Sequence, residues 1–214
     1  MSLKLGFIGC GNMGKAMLSG VLESGKCAKA DVLASAKTEA TREKIKSQFD
    51  IKVTADNKEV AEFADVLFLA VKPQYYAEVI DQIKDVVRDD TIVISIAPGK
   101  SLEWFDQAFG KQLKVIRTMP NTPAMVKEGM MGMCPNALVT DEETALVKDI
   151  CDGFSETEII TENLMDVVTA VSGSSPAYVF MFIEAMADAA VIEGMPRAQA
   201  YAMAEQAVLG TAKY

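Results

Sequence analysis

Gly9-Cys10-Gly11-Asn12-Met13-Gly14 places three glycines at the spacing G-x-G-x-x-G, directly after the apolar run Leu-Gly-Phe-Ile and directly before Lys-Ala-Met-Leu-Ser-Gly-Val-Leu-Glu-Ser. The flanks read as strand and helix, and in that context the spacing has a mechanical meaning. The first glycine permits a tight turn, the second lets a pyrophosphate approach the backbone, and the third lets helix and strand pack closely. The amides at the helix start then face an anion. A glycine-rich turn that serves packing alone is the competing reading, and the strand and helix on either side argue against it. Met13, Met17 and Leu18 are read as core residues rather than chemistry.

Apolar runs that suit strands recur at 3–8, 31–34, 66–71, 91–96 and 113–118, with helix-compatible stretches between the first four. That alternation is the rhythm of a parallel sheet with crossover helices. Several runs are apolar throughout rather than alternating, as strands covered on both faces must be. The fold class expected is α/β, a doubly wound sheet over residues 1–162, followed by an all-α part over 163–214. Beyond Asn163 the chain becomes rich in Ala, Met and Leu. Ser175-Pro176 suits a helix start, and Gly194-Met195-Pro196 suits a stop and restart, which predicts a helical hairpin. Its apolar residues extend beyond one stripe, so a second copy of the chain is expected to cover them. The helical pattern runs uninterrupted to Tyr214, and the natural chain is expected to continue past it.

Folds selective for NAD usually end the second strand in Asp or Glu, which binds the ribose 2′-hydroxyl. Here the segment reads Leu33-Ala34-Ser35-Ala36-Lys37-Thr38. With no carboxylate, Ser35, Lys37 and Thr38, with Arg42 beyond, offer hydroxyls and cations to a 2′-phosphate. NADPH is favoured, with NADH the second cofactor admitted; Lys37 and Arg42 as mere solvated helix charges is the competing reading. The other strand-like runs lead into Val71-Lys72-Pro73, Ala97-Pro98-Gly99 and Met119-Pro120-Asn121-Thr122-Pro123. Ligands of open α/β sheets lie outside these carboxyl ends.

Composition removes several alternatives. Among 214 residues there is no histidine, so hydrolase triads built on an imidazole base lose their main participant. Four scattered cysteines without a C-x-x-C pair argue against a disulfide framework and a structural zinc site, and no metal site is expected. With 21 basic and 30 acidic residues the net charge is −9, which argues against sequence-independent nucleic-acid binding. The longest unbroken apolar run, 66–71, is too short to cross a bilayer, and Glu184 and Asp188 interrupt the later one, so no membrane span is expected. No signal-peptide pattern opens the chain, and a cytoplasmic location is expected.

Taken with Asp56-Asn57-Lys58-Glu59, the run from Asp65 to Pro73, the run from Arg117 to Pro123 and Ser172-Gly173-Ser174-Ser175-Pro176-Ala177-Tyr178, the glycine loop resembles the pyrroline-5-carboxylate reductase family over essentially the whole chain. The resemblance implies an N-terminal Rossmann domain and a C-terminal helical domain that forms a homodimer, with some members assembling five dimers into a decamer. It implies reduction of a small cyclic imine, 1-pyrroline-5-carboxylate, to L-proline by hydride transfer from NAD(P)H. By motif match, Gly9, Cys10, Gly11, Asn12, Met13 and Gly14 line the pyrophosphate, and Ser35 with Ala36 and Lys37 the adenosine phosphate. Asn57 takes the adenosine ribose, and Val71, Lys72, Ala97 and Pro98 the nicotinamide side.

Glu162, Ser172, Gly173 and Ser174 are expected near the substrate, with a solvated carboxylate as the competing reading for Glu162. Ser175 stands where the family commonly has glycine. The family's S-P-G-G-x-T loop, which holds the substrate carboxylate, is expected beyond Tyr214. A protonated cyclic imine is already electrophilic, so Lys72 or the Ser174 hydroxyl is expected only to orient it or a water. The alternatives are an NADP-dependent dehydrogenase of small hydroxy acids and a non-catalytic dinucleotide sensor.

Overall fold

The computed structural model describes residues 2–214. One eight-stranded sheet forms its centre, in the order β3-β2-β1-β4-β5-β6-β7-β8. The strands are β1 (Leu5–Ile8), β2 (Val32–Ser35), β3 (Lys52–Thr54), β4 (Val66–Leu69), β5 (Ile92–Ser95), β6 (Lys114–Pro120), β7 (Gly129–Pro135) and β8 (Ser155–Ile159). The first six are mutually parallel; β7 turns back antiparallel to β6, and β8 runs parallel to β7. Helices α1 (Asn12–Glu23), α2 (Glu39–Phe49), α3 (Asn57–Phe63), α4 (Tyr76–Ile83), α5 (Leu102–Phe109) and α6 (Asp141–Cys151) connect the strands. Chain order reverses between β1 and β4, so a crevice opens at their carboxyl ends.

The unbroken apolar runs have the expected cause. Leu5, Phe7, Val66, Phe68, Ile92 and Ile94 pack into a core with α1, α2 and α6 on one face. Ile8, Leu67, Leu69 and Val93 pack with α3, α4 and α5 on the other. Phe7 and Phe68, paired in register, stack with ring centroids 4.6 Å apart. Successive residues thus point to opposite covered faces, and neither can be polar.

Three strands escape the apolar-run reading. β3 is short and carries exposed Lys52, β7 is Gly- and Met-rich, and Ser-Glu-Thr-Glu-Ile of β8 alternates because one of its faces is in solvent. β6 continues through Met119 to Pro120, where 113–118 was expected, because the antiparallel pairing with β7 holds Pro120 opposite Met131.

From Glu162 the chain is helical: a short 3-10 turn, α7 (Met165–Val168), a π-helical turn over Thr169–Gly173, α8 (Ser175–Ile192) and α9 (Arg197–Lys213). α8 and α9 form the expected hairpin, pinned by an Arg197–Asp188 ion pair. Ser172 and Gly173 end the π-helical turn, and Ser174 bends after it, its N donating to Thr169 O at 2.8 Å. Ser175 occupies the first position of α8, directly after the bend at Ser174.

The continuous stretch Glu162–Ile192 corrects one expectation. Its 31 residues contain a window of mean hydropathy 1.4, long and apolar enough to cross a membrane by length and composition, despite Glu184 and Asp188. Of α8, only Ala187 is buried; Tyr178, Phe180, Met181 and Phe182 are each about 60% exposed or more.

Candidate functional site

A cleft of about 860 Å³ lies at the carboxyl ends of β1, β2 and β4. Its floor is the glycine loop, and the three glycines have three distinct reasons to lack a side chain. Gly9 has φ +91°, and a Cβ there would lie 2.6 Å from Val71 Cγ1 and 2.9 Å from the Ala70 carbonyl carbon and oxygen. A Cβ on Gly14 would lie 2.6 Å from the Gly9 carbonyl oxygen, so this residue lets α1 rest on the loop. A Cβ on Gly11 would meet nothing within 4 Å. With an ordinary φ of −68°, Gly11 needs neither unusual backbone nor room for another protein atom. Its missing side chain leaves space in the cleft, which is what the close approach of a pyrophosphate requires.

The charge of the cleft fits the same group. Lys15, Lys37 and Lys72 line it against a single carboxylate, Glu78. In a chain of net charge −9 this is a local reversal of sign. None of the four residues that line the end of β2 is acidic: they are Ser35, Ala36, Lys37 and Thr38. Ser35 is buried, and its hydroxyl donates to Asn57 Oδ1 at 2.7 Å, while Asn57 Nδ2 donates to Gln82 Oε1 at 2.7 Å. The two residues expected at the adenosine end thus fix each other, and Lys37 and Thr38 stand more exposed at the rim. Arg42 is redirected: its guanidinium donates to the carbonyls of Ala36 and Lys37 at 3.0 and 3.1 Å, bracing the loop from behind.

Of the expected nicotinamide-side residues, Val71 and Lys72 line the cleft. Ala97 and Pro98 stand outside its lining, Ala97 buried with its amide donating to Ser95 Oγ at 3.2 Å and Pro98 exposed. Asn12, Met13 and Gly14 are likewise outside the lining. Met13 packs on the core and Asn12 opens α1, so only Gly9, Cys10 and Gly11 of the motif face the cavity. Burial pushes the Cys10 thiol up to about 12, which makes it a packing group rather than a nucleophile.

Ser174 and Gly173 line a second, smaller cavity of about 440 Å³ with Thr122, Pro176, Ala177, Tyr178 and Phe180. Lys72 and Ser174, the two residues expected to orient the imine or a water, therefore line different cavities. Ser172 spends its hydroxyl on Val168 O and its carbonyl on Asn121 Nδ2 at 3.0 Å. A Cβ on Gly173 would lie 2.8 Å from Met119 Cε. Glu162 is neither free nor in a cavity lining: one carboxylate oxygen accepts from the buried Arg117 guanidinium and from Leu102 N, the first residue of α5, at 2.8 Å. Sequence reasoning missed Asn121 and Arg117 as organisers of this region. The signal for both was a polar Arg and Asn at the end of an apolar strand.

A reversal-point cleft with a glycine floor and basic walls, followed by a helical hairpin, defines a nicotinamide-dinucleotide-dependent oxidoreductase. Residues 4–99 match the family model described as NADP oxidoreductase coenzyme F420-dependent, and 162–214 match that of pyrroline-5-carboxylate reductase dimerisation. The chain is 50% identical over 213 residues to pyrroline-5-carboxylate reductase of Escherichia coli, covering 100% of this chain and 79% of the relative. It superposes on the pyrroline-5-carboxylate reductase structure from Coxiella burnetii with TM-score 0.94 at 30% identity, covering 100% of this chain and 79% of that one. The Plasmodium falciparum pyrroline carboxylate reductase structure with NADP bound gives TM-score 0.89 at 30% identity, covering 99% and 78%. The chain belongs to the pyrroline-5-carboxylate reductase family. It is an NAD(P)H-dependent oxidoreductase that reduces 1-pyrroline-5-carboxylate to proline, which sets aside the hydroxy-acid dehydrogenase and the silent sensor. Its dimerisation segment marks it as an oligomer, and its reductase relatives mark the substrate as a small molecule.

Proposed function

We propose that the chain works with NADPH in preference to NADH, binding it along the 860 Å³ cleft with its adenosine end at β2 and its nicotinamide end at Val71 and Lys72. The observation that carries this is the β2 end: no carboxylate, and Lys37 and Thr38 at the rim of a loop braced by Arg42. Gly9, Cys10 and Gly11 leave the backbone open to the pyrophosphate, and Lys15 adds charge beside them. When bound, the dinucleotide supplies the hydride. Lys72, exposed at the end of β4, orients the imine or a water beside it, and Ser174 contributes a hydroxyl from the second cavity. With no histidine in the chain, catalysis rests on alignment and charge rather than on a tuned imidazole.

Residues 1–162 form the cofactor domain and 163–214 the helical domain in this reading. The exposed apolar face of α8 and the dimerisation match support a homodimer; the decamer of five dimers rests on family resemblance. A cytoplasmic location fits four unpaired cysteines among the described residues, and the homodimer gives the apolar Glu162–Ile192 stretch a protein partner in place of a membrane. No nucleic-acid partner is proposed for so acidic a chain. The test is the initial rate of 1-pyrroline-5-carboxylate reduction with each cofactor. NADPH is expected to give the higher kcat/KM, and Lys37→Glu to reverse the order; equal use by both proteins would overturn the assignment of the β2 end. Lys72→Met at unchanged turnover would remove Lys72 from the site.

A further inference from the structure

Tyr76 opens α4, and its side chain is fully buried between the carboxyl ends of β4 and β5. The β4–β5 ladder shows what its hydroxyl does there. Ile92 N donates to Asp65 O at 2.9 Å, and the strands stay in register through Phe68↔Ile94 and Leu69↔Ser95. Parallel ladders repeat every second residue, so the rung two steps further on would run from Ile96 N to Leu69 O. Ile96 N instead donates to the Tyr76 hydroxyl oxygen at 3.2 Å, and that hydroxyl donates to Leu69 O. One phenol oxygen has been inserted into the last rung. Ser95 Oγ donates to it as well, at 3.4 Å, so its one donor and two acceptor positions are all used. Phe105 packs edge-on against the ring, with centroids 6.1 Å apart.

Both strands end at this bridge, one leading into Ala70-Val71-Lys72 and the other into Ala97-Pro98. We propose that Tyr76 is a positioning residue for hydride transfer, its hydroxyl wedging β4 from β5 so that Val71 and Lys72 stand at the separation the nicotinamide end needs. This rests on the proposed assignment of Val71 and Lys72 to that end. The buried phenol, pushed up to about 12 by desolvation, keeps its proton and remains a donor throughout the physiological range. Without the oxygen, Ile96 N and Leu69 O either lose their partners or close on each other, and both outcomes move the strand ends.

The experiment is calorimetric titration of Tyr76→Phe with NADPH and with adenosine 2′,5′-bisphosphate, which lacks the nicotinamide half, together with steady-state kinetics. We expect NADPH affinity and kcat each to fall about tenfold, with bisphosphate affinity and the KM for the imine held within about twofold. Ser95→Ala, which removes one contact to the same oxygen, shifts NADPH in the same direction by less. Val71→Phe, which fills the space assigned to the nicotinamide, is the control: if it leaves the ratio of the two affinities unchanged, the Val71 assignment fails and the role of Tyr76 with it. If Val71→Phe changes that ratio and Tyr76→Phe does not, the wedge alone is refuted. Equal weakening of both ligands by Tyr76→Phe, or failure of both Tyr76→Phe and Ser95→Ala to fold, makes the hydroxyl a general support of the fold and also refutes it.

Discussion

Replacing each of the first two loop glycines by alanine separates what the turn requires from what the ligand requires. At Gly9 the new methyl group sits at φ +91° and 2.9 Å from the backbone of Ala70, which cannot withdraw without parting β1 from β4. A left-handed residue costs about 1–2 kcal/mol, and forcing a methyl into filled space costs about 1–3 kcal/mol more. Gly9→Ala is therefore expected to lose about 3 kcal/mol and roughly 6–12 °C in Tm for a chain of this size. At Gly11 the backbone is ordinary and the space is empty, so Gly11→Ala is expected to stay within about 1 kcal/mol of the parent. The same methyl occupies the pyrophosphate's path, and NADPH affinity is expected to fall roughly ten- to a hundredfold. Urea unfolding and calorimetric titration of both variants read the two quantities separately. A Gly11→Ala protein that binds NADPH as tightly as the parent, or is as unstable as Gly9→Ala, would refute the division of roles.

Glu162→Gln removes the anion facing buried Arg117; because Glu162 is 39% exposed, solvent compensates in part, and a loss of about 2 kcal/mol in denaturant unfolding is expected, with Arg117→Met milder than Glu162→Gln. Glu143 gives a pH dependence: burial pushes its carboxyl up, but the hydrogen bond and charge of Lys114 at 2.5 Å and the Thr140 amide outweigh this and hold it below the usual 4.5. A carboxyl lowered in the folded state contributes stability above its unfolded value, lost as pH falls through the folded one. Unfolding free energy is thus expected to drop below about pH 4.5, less steeply in Glu143→Gln, and superimposable pH profiles would contradict the pairing.

The features legible in the sequence were those dictated by local sterics and by burial on two faces. The glycine spacing located the cleft floor because Gly9 takes a positive φ at the turn, Gly14 rests on the Gly9 carbonyl, and Gly11 between them leaves the ligand's space empty. The β2 end was legible as a missing carboxylate, but not the way Ser35, Asn57 and Gln82 close on one another, since those three meet only when α3 and α4 pack beside β2. Arg42 looked like a ligand cation because composition cannot tell whether a guanidinium faces a cavity or backs a loop. β7 and β8 were missed because their signals, Gly with Met in one and alternating Glu in the other, arise from edge position and from close approach to the helical segment. Gly132 illustrates the latter: a Cβ there would lie 2.9 Å from Val168 Cγ1.

The run from Arg117 to Asn121 carries the deepest misreading, and its period explains why. Read as a strand that stops at proline, it supplies only rigid backbone at a carboxyl end. In the fold the strand continues to Pro120 with Asn121 extended directly after it, and side chains two apart share a face. Arg117 pairs with Glu162, Met119 meets Gly173, and Asn121 takes Ser172 O while accepting Met130 N at 2.8 Å. All three odd-numbered residues grip the helical segment, at its start and at its π-helical turn. Thr118, between them, donates to Ser95 O at 3.0 Å, beneath the Tyr76 bridge. One strand thus registers the wall of the second cavity with one set of side chains and β5 with a residue of the other set. The separation between Lys72 in the first cavity and Ser174 in the second is therefore fixed through β6, a constraint between residues far apart in sequence that no local motif could display.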